Sequence, residues 1–169
     1  MEIERKFLVK ELPSHLDSYR FHKIEQAYLN ISPVIRIRKQ DDEYYLTYKG
    51  KGLLAREEYN LPLNKESYFH LRGKADGTII SKTRYLIPIE KPEFSSGILL
   101  SEQELKAALM IELDIFDEPF SSLILAEVEF CSENAANAFL PPSWLGEDVT
   151  YDSRYHNSTL SGFGKFPSI

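Results

Sequence analysis

The chain has 169 residues, 43% of them hydrophobic and 27% charged, and a formal net charge of −6. This composition suits one soluble globular domain spanning 1–169 and argues against a disordered chain or a membrane protein. The negative balance has the wrong sign for non-specific binding to nucleic acid or to a membrane surface. No apolar run reaches bilayer-spanning length, and Glu2 and Glu4 sit where a signal peptide would be basic, so the expected location is cytoplasmic. Cys131 is the single cysteine, which excludes an internal disulfide and a cysteine-built zinc site. His15, His22, His70 and His156 lack the HxH or HExxH spacing of a histidine-built metal site.

Residues 1–9 read as a strand whose side chains sort unusually by face. Ile3, Arg5, Phe7 and Val9 share one side, and Glu2, Glu4 and Lys6 share the other. A short connection around Pro13 follows, and strands are then expected at 22–30, 34–39, 43–49 and 56–63. Asn64 is placed to cap a helix over 65–72 that Gly73 closes. A long strand over 78–89 stops at Pro88 and Pro92. Within 93–110, Ser101-Glu102-Gln103-Glu104 has capping-box spacing for a short helix. Strands at 111–116 and 123–130 form the last pair, Ser132 caps a helix ending before Pro141-Pro142, and the tail from 143 onward reads as irregular. About eight strands in hairpin succession point to a mainly β, α+β architecture. The expected form is a closed eight-stranded antiparallel barrel with helices packed outside, because closure removes exposed edges.

The sorting seen at the N-terminus recurs. Arg36 and Arg38 alternate with Ile35 and Ile37. Lys82 and Arg84 alternate with Thr83 and Tyr85, Glu112 and Asp114 with Ile111, Leu113 and Ile115, and Glu127 and Glu129 with Ala126, Val128 and Phe130. Any one pair reads as a solvated strand face. Five such strands, each with bulky apolar residues on the opposite side, instead turn the charged faces toward the barrel interior, with Lys49 and Glu58 extending the set. Buried like charges are costly unless counter-charges, water, a metal or a polyanion offset them. Carboxylates are hard ligands for Mg²⁺ or Mn²⁺, and Arg and Lys hold phosphate oxygens, so the chemistry that uses both together is phosphoryl transfer. A glycosidase also uses paired carboxylates but has no need of so many interior cations.

The opening Glu2-Ile3-Glu4-Arg5-Lys6-Phe7-Leu8 resembles the ExExK signature of the CYTH, or triphosphate tunnel metalloenzyme, superfamily. The likeness continues in order through Arg36-Ile37-Arg38, Lys49, Glu58, Lys82-Thr83-Arg84, Glu112-Leu113-Asp114 and Glu127-Val128-Glu129. The resemblance implies an eight-stranded tunnel that binds a triphosphate with Mg²⁺ or Mn²⁺. It implies that Glu2, Glu4, Glu58, Asp114, Glu127 and Glu129 hold metal and that Lys6, Arg36, Arg38, Lys49, Lys82 and Arg84 grip phosphates. Glu2, Glu4, Lys6 and Glu129 stand nearest the chemistry, in which metal-associated water attacks the terminal phosphorus. The tail 151–160 resembles the family's closing segment, covering one mouth with Arg154 within reach of a phosphate. Asn60 departs from the pattern, standing where a second carboxylate is expected, and 93–110 is longer than the usual connection.

The compact opening motif resembles bacterial tripolyphosphatases, so the leading expectation is cleavage of inorganic tripolyphosphate to pyrophosphate and phosphate. The alternatives are a class IV adenylyl cyclase, a nucleoside or thiamine triphosphatase, and a polyphosphate-binding module without turnover. The expected partner is the small-molecule triphosphate, with no nucleic acid and no membrane. The resemblance allows a homodimer, but no apolar stripe in the sequence identifies its interface.

Overall fold

The computed structural model describes residues 1–163; the last six residues of the tail read as irregular, 164–169, lie outside the described residues. The strands are β1 (Glu2–Val9), β2 (Arg20–Ile31), β3 (Val34–Gln40), β4 (Glu43–Lys49), β5 (Ala55–Arg56), β6 (Glu58–Pro62), β7 (Asp76–Ile89), β8 (Glu93–Phe94), β9 (Leu109–Phe116), β10 (Ile124–Glu129), β11 (Phe139–Leu140) and β12 (Leu145–Asp148). The helices are α1 (Lys65–Arg72), α2 (Glu102–Leu105), α3 (Glu133–Ala138) and α4 (Asn157–Phe163).

One antiparallel sheet runs β12-β1-β10-β9-β7-β2-β3-β4-β6, with β5 also paired to β1. Only Glu57 separates β5 from β6, so this interrupted strand joins β4 on one side to β1 on the other. The ring therefore has eight positions, as expected, and is nearly closed. Its seam is two residue pairs long, Glu2 with Arg56 and Ile3 with Ala55. Beyond it the same edge of β1 is taken by β12. The expected strand 56–63 is thus split, because β5 pairs with β1 and β6 with β4.

The period-two sorting holds in space. Outward-facing Ile3, Phe7, Ile111, Leu113, Ala126 and Val128 are buried with Ala135, Ala136 and Phe139 of the α3 region, forming the larger core. Ala27 and Ile37 are covered by Tyr68 of α1. Asn64 caps α1 by accepting from Ser67 N at 2.7 Å, and the Ser101–Glu104 capping box forms on α2. Burying each large side chain of this kind stabilises the fold by roughly 1.5–3 kcal/mol.

The tail differs from its irregular reading. It pairs as β12, makes one 3₁₀ turn over Ser153–Tyr155, and ends in α4. No amphipathic repeat long enough to mark a helix exists there, since Asn157-Ser158-Thr159-Leu160-Ser161-Gly162 is mostly polar. What orders it is tertiary contact. Val149 N donates to Lys6 O at 2.8 Å, and Lys6 N donates to Thr150 Oγ1 at 3.0 Å. Leu160 is fully buried in an apolar cluster with Tyr28, Ile80, Phe116, Leu125 and Tyr155, flanked by Leu8 and Val34. By their ladder registers these strand residues share the inward face with the charged ones, so α4 plugs one end of the barrel. Gly77, at φ 70°, permits this approach, because a Cβ there would lie 2.4 Å from Ser161 O.

Among the described residues no helix is long and apolar enough to cross a membrane.

Candidate active site

Nine strands, β1 to β7 with β9 and β10, and the turn into α4 line one polar cavity inside the barrel. Its wall holds six carboxylates (Glu2, Glu4, Glu58, Glu112, Glu127, Glu129) and six cations (Lys6, Arg36, Arg38, Lys49, Arg56, Arg84). A second recess, on the Met1 side, shares Glu2, Glu58 and Glu129 with it and marks the open mouth.

The acids near the mouth are crowded. Lys49 Nζ donates to both oxygens of Glu2 at 2.9 and 2.8 Å and lies 2.5 Å from Glu58 Oε2. Arg56 spans Glu2 at 3.1 Å and Glu4 at 3.2 Å. Burial, together with the charge of Glu4, raises the Glu2 pKa to about 7, although Lys49 opposes it. Glu58 is pulled the other way, to about 2, because Lys49 and hydrogen bonds from Glu2 and Asn60 outweigh its burial. The pair is thus pushed apart, Glu2 toward its protonated form and Glu58 toward its ionised form. Glu129 makes no ion pair among the described residues, and burial with Glu112, Glu4 and Glu58 around it raises its pKa.

Deeper in, the charges neutralise one another. Lys6 Nζ lies 2.8 Å from Glu127 Oε1. Arg84 donates to Asp114 at 2.7 and 2.6 Å, to Glu127 at 2.6 Å and to Glu112. Burial alone would raise the pKa values of Asp114 and Glu127, but the cations around them hold both below the usual carboxylate range. Lys82 donates to Asp114 and stands 5.1 Å above the Phe116 ring, where burial lowers its pKa to about 8.

Arg36 and Arg38 are the exception. Arg36 donates to Thr47 Oγ1 and Arg38 to Gln26 Oε1, each at 3.0 Å, and both Nε atoms are buried without a partner. Neither guanidinium has a carboxylate partner among the described residues. Burial and the nearby charges of Arg36 and Arg84 lower the Arg38 pKa to about 10. Two buried, unpaired guanidiniums side by side are costly unless an anion joins them.

The CYTH domain family model matches residues 1–123. The chain belongs to the CYTH domain family. It is 39% identical over 163 residues to the inorganic triphosphatase of Nitrosomonas europaea, covering 95% of this chain and 96% of that protein. It is 29% identical over 168 residues to the inorganic triphosphatase of Acetivibrio thermocellus, covering 94% and 92%. A crystal structure of an inorganic triphosphatase superposes with a TM-score of 0.67 at 33% identity, covering 99% of this chain and 97% of that one.

In this CYTH barrel, Glu2, Glu4, Lys6, Arg36, Arg38, Lys49, Glu58, Arg84, Glu127 and Glu129 all reach the common cavity. Three sequence candidates lie elsewhere. Asp114 is fully buried behind the wall, with both oxygens held by Lys82 and Arg84. Lys82 is buried with it. Arg154 lies outside, pairing with Asp152 at 2.6 Å with 57% of its side chain exposed. Arg154 is in the 3₁₀ turn, which packs its Tyr155 inward instead.

Sequence reasoning did not single out Arg56, His156 or Asn157, and it noted Glu112 without giving it a role. Arg56 was findable, because it precedes Glu58 by two and so repeats the charged pairing of the other strands. His156 and Asn157 carry no such period and are brought in by the fold of the tail. Asn60 accepts from Thr47 Oγ1 at 2.6 Å and donates to Glu58 Oε1 at 2.8 Å, linking Arg36 to the acidic mouth through Thr47.

The donors fit a hard divalent cation. Glu4 and Glu129 are direct cross-strand partners, with Glu2, Glu58 and Glu112 around them, and burial together with the neighbouring carboxylates raises the pKa values of Glu2 and Glu129. Among the described residues no three acidic or imidazole groups converge closely enough to ligate one ion as they stand. Several oxygens face Lys49 and Arg56 instead, cations that would yield to an entering ion.

Proposed function

We propose that this chain hydrolyses inorganic tripolyphosphate to pyrophosphate and phosphate, with Mg²⁺ or Mn²⁺ bound at the acidic side of the cavity. The observation that carries the reading is the pair of unpaired buried guanidiniums, Arg36 and Arg38, facing the same cavity as the carboxylates around Glu4 and Glu129. Those cations lack an anion and Glu129, among crowded acids that share Lys49 and Arg56, lacks a cation among the described residues, and a metal–triphosphate complex supplies both. The wall holds equal numbers of acids and bases, so a triphosphate entering alone would leave the cavity strongly negative. The relatives named inorganic triphosphatase support this substrate, since they match along nearly the whole chain.

Arg36, Arg38, Lys6 and Lys49 hold the phosphate oxygens in this reading, with Arg84 held in place by Asp114, Glu112 and Glu127. Glu2, Glu4, Glu58 and Glu129 hold the metal, with Glu112 nearby. Bound there, a divalent ion supplies neutralisation of phosphate oxygens and a lower pKa for the water it binds. Water adds to the terminal phosphorus, the bridging P–O bond breaks, and pyrophosphate leaves with that oxygen. No protein nucleophile is required. Asp114 and Lys82 support the cationic wall from behind. Among the described residues on the lining, Tyr28 and Val34 are the apolar side chains, which gives an adenine ring little apolar platform.

The test is phosphate release from tripolyphosphate, ATP, thiamine triphosphate and pyrophosphate, each with Mg²⁺, with Mn²⁺ and with chelator. Metal-dependent turnover of tripolyphosphate at least tenfold faster than of the others is expected. Cyclic AMP from ATP, or turnover unaffected by chelator, would overturn the reading.

A further inference from the structure

The wall that closes the charged cavity is the turn into α4, and the side-chain oxygen of its Asn157 is not used by the fold. His156, Asn157 and Ser158 line the cavity alongside Lys6 and Arg36. Asn157 Oδ1 is buried with no hydrogen-bond partner among the described residues. Leaving such an atom unsatisfied carries a penalty that a surface position would avoid. Its place is fixed by what surrounds it. Leu160 seals the barrel behind it, Gly77 admits α4 at close range, and Val149 and Thr150 tie the preceding segment to the backbone of Lys6. An amide can turn either its oxygen or its NH₂ to the cavity, since the two are interchanged by a flip. His156 is kept neutral, its pKa lowered to about 4 by burial and by Lys6 and Arg56, so it adds a hydrogen-bonding group without a further charge.

We propose that Asn157, beside His156, is the blind-end contact for the substrate's innermost phosphate, so that the cavity accepts only polyphosphates with at least one free, unesterified end. The inference rests on the triphosphate reading above. With its amide turned, Asn157 Nδ2 donates to a terminal phosphate oxygen already drawn in by Lys6. An ester group at that phosphate would instead run into the seal formed by Tyr28, Leu160 and their apolar neighbours. Selection comes from a closed end with one polar reader, and the other end of the substrate is left toward the open mouth.

The experiment is calorimetric titration of the full chain in Mg²⁺ with imidotriphosphate, a hydrolysis-resistant form of tripolyphosphate, paired with steady-state kinetics on tripolyphosphate in Mg²⁺, for the wild type, Asn157→Ala and Asn157→Asp. The alanine variant is expected to bind about tenfold more weakly, with KM moving more than kcat. The isosteric Asn157→Asp is expected to be worse than alanine, an order that a packing role would reverse. Asn157→Asp binding as tightly as wild type would overturn the proposal. Independently of any variant, a dinucleoside triphosphate esterified at both ends is expected not to bind the wild type, and binding equal to that of tripolyphosphate would overturn the proposal. A wild-type chain that binds tripolyphosphate without turnover overturns the hydrolase reading alone, since the titrations still rank the variants. One that binds none overturns both.

Discussion

Glu4 of β1 and Glu129 of β10 are direct partners across the antiparallel ladder, two carboxylates facing one another inside a barrel. Like charges so placed destabilise a sheet by roughly 0.2–1 kcal/mol. Glu129→Gln is therefore expected to raise the melting temperature of the metal-free chain while lowering Mg²⁺-dependent turnover roughly 100-fold. Thermal melts in chelator together with steady-state rates check both. A variant that is both less stable and fully active contradicts the role.

Arg36 and Arg38 should show the opposite division. Neither is ion-paired among the described residues, so Arg36→Gln removes no salt bridge seen there and is expected to leave the melting temperature in chelator unchanged or higher. It does remove a charge-assisted contact of about 1.5–3 kcal/mol, so triphosphate affinity is expected to fall roughly 10- to 100-fold. Titration of tripolyphosphate into wild type and variant measures this directly. Equal affinity would remove Arg36 from the phosphate site.

Asp114 separates a structural acid from a ligand. Its oxygens are occupied by Arg84 and Lys82, so Asp114→Asn strands the buried Lys82 and is expected to cost about 3–5 kcal/mol of stability in denaturant unfolding. Triphosphate binding weakens because Arg84 keeps only Glu112 and Glu127 to orient it, whereas the Mg²⁺ concentration for half-maximal rate stays near the wild-type value. A large rise in that concentration with stability intact would instead make Asp114 a metal ligand.

The barrel was legible because its period is two and its charges are many. Each strand from β1 to β10 that carries a charged pair declares its inward face, and the bulky alternates declare the outward one. The tail was not legible, because α4 is short and polar and is held by Leu160, Gly77 and the backbone of Lys6, contacts that exist only after the barrel forms. That is also why Arg154, prominent in sequence, lies outside while His156 and Asn157 line the cavity. The same limit hides Asp114, since alternation places its Cα on the inward side but cannot say that Arg84 and Lys82 will enclose its oxygens.

His156 gives a pH dependence with a definite sign. Its folded pKa, about 4, lies below the ordinary histidine value of 6.5, so the unfolded chain binds more protons between those limits. Its contribution to stability is present above pH 6.5 and is lost as pH falls toward 4. Glu2, raised to about 7 from 4.5, acts oppositely in the metal-free chain, and its contribution is lost as pH rises from 4.5 to 7. His156→Gln is thus expected to leave the falling limb exposed. The difference in melting temperature, wild type minus variant, should grow from pH 4 to 6.5 in chelator and then level off. A difference independent of pH would contradict the assignment.

In the proposed reaction one charged cavity takes a metal–triphosphate complex and delivers water to its terminal phosphorus. Phosphorus NMR of the wild-type chain with tripolyphosphate in ¹⁸O-enriched water tests it most directly, with Mg²⁺ and with chelator. Pyrophosphate and phosphate are expected in equal amounts, with the label confined to phosphate and no conversion in chelator. Label in pyrophosphate, or conversion that persists without metal, would contradict it.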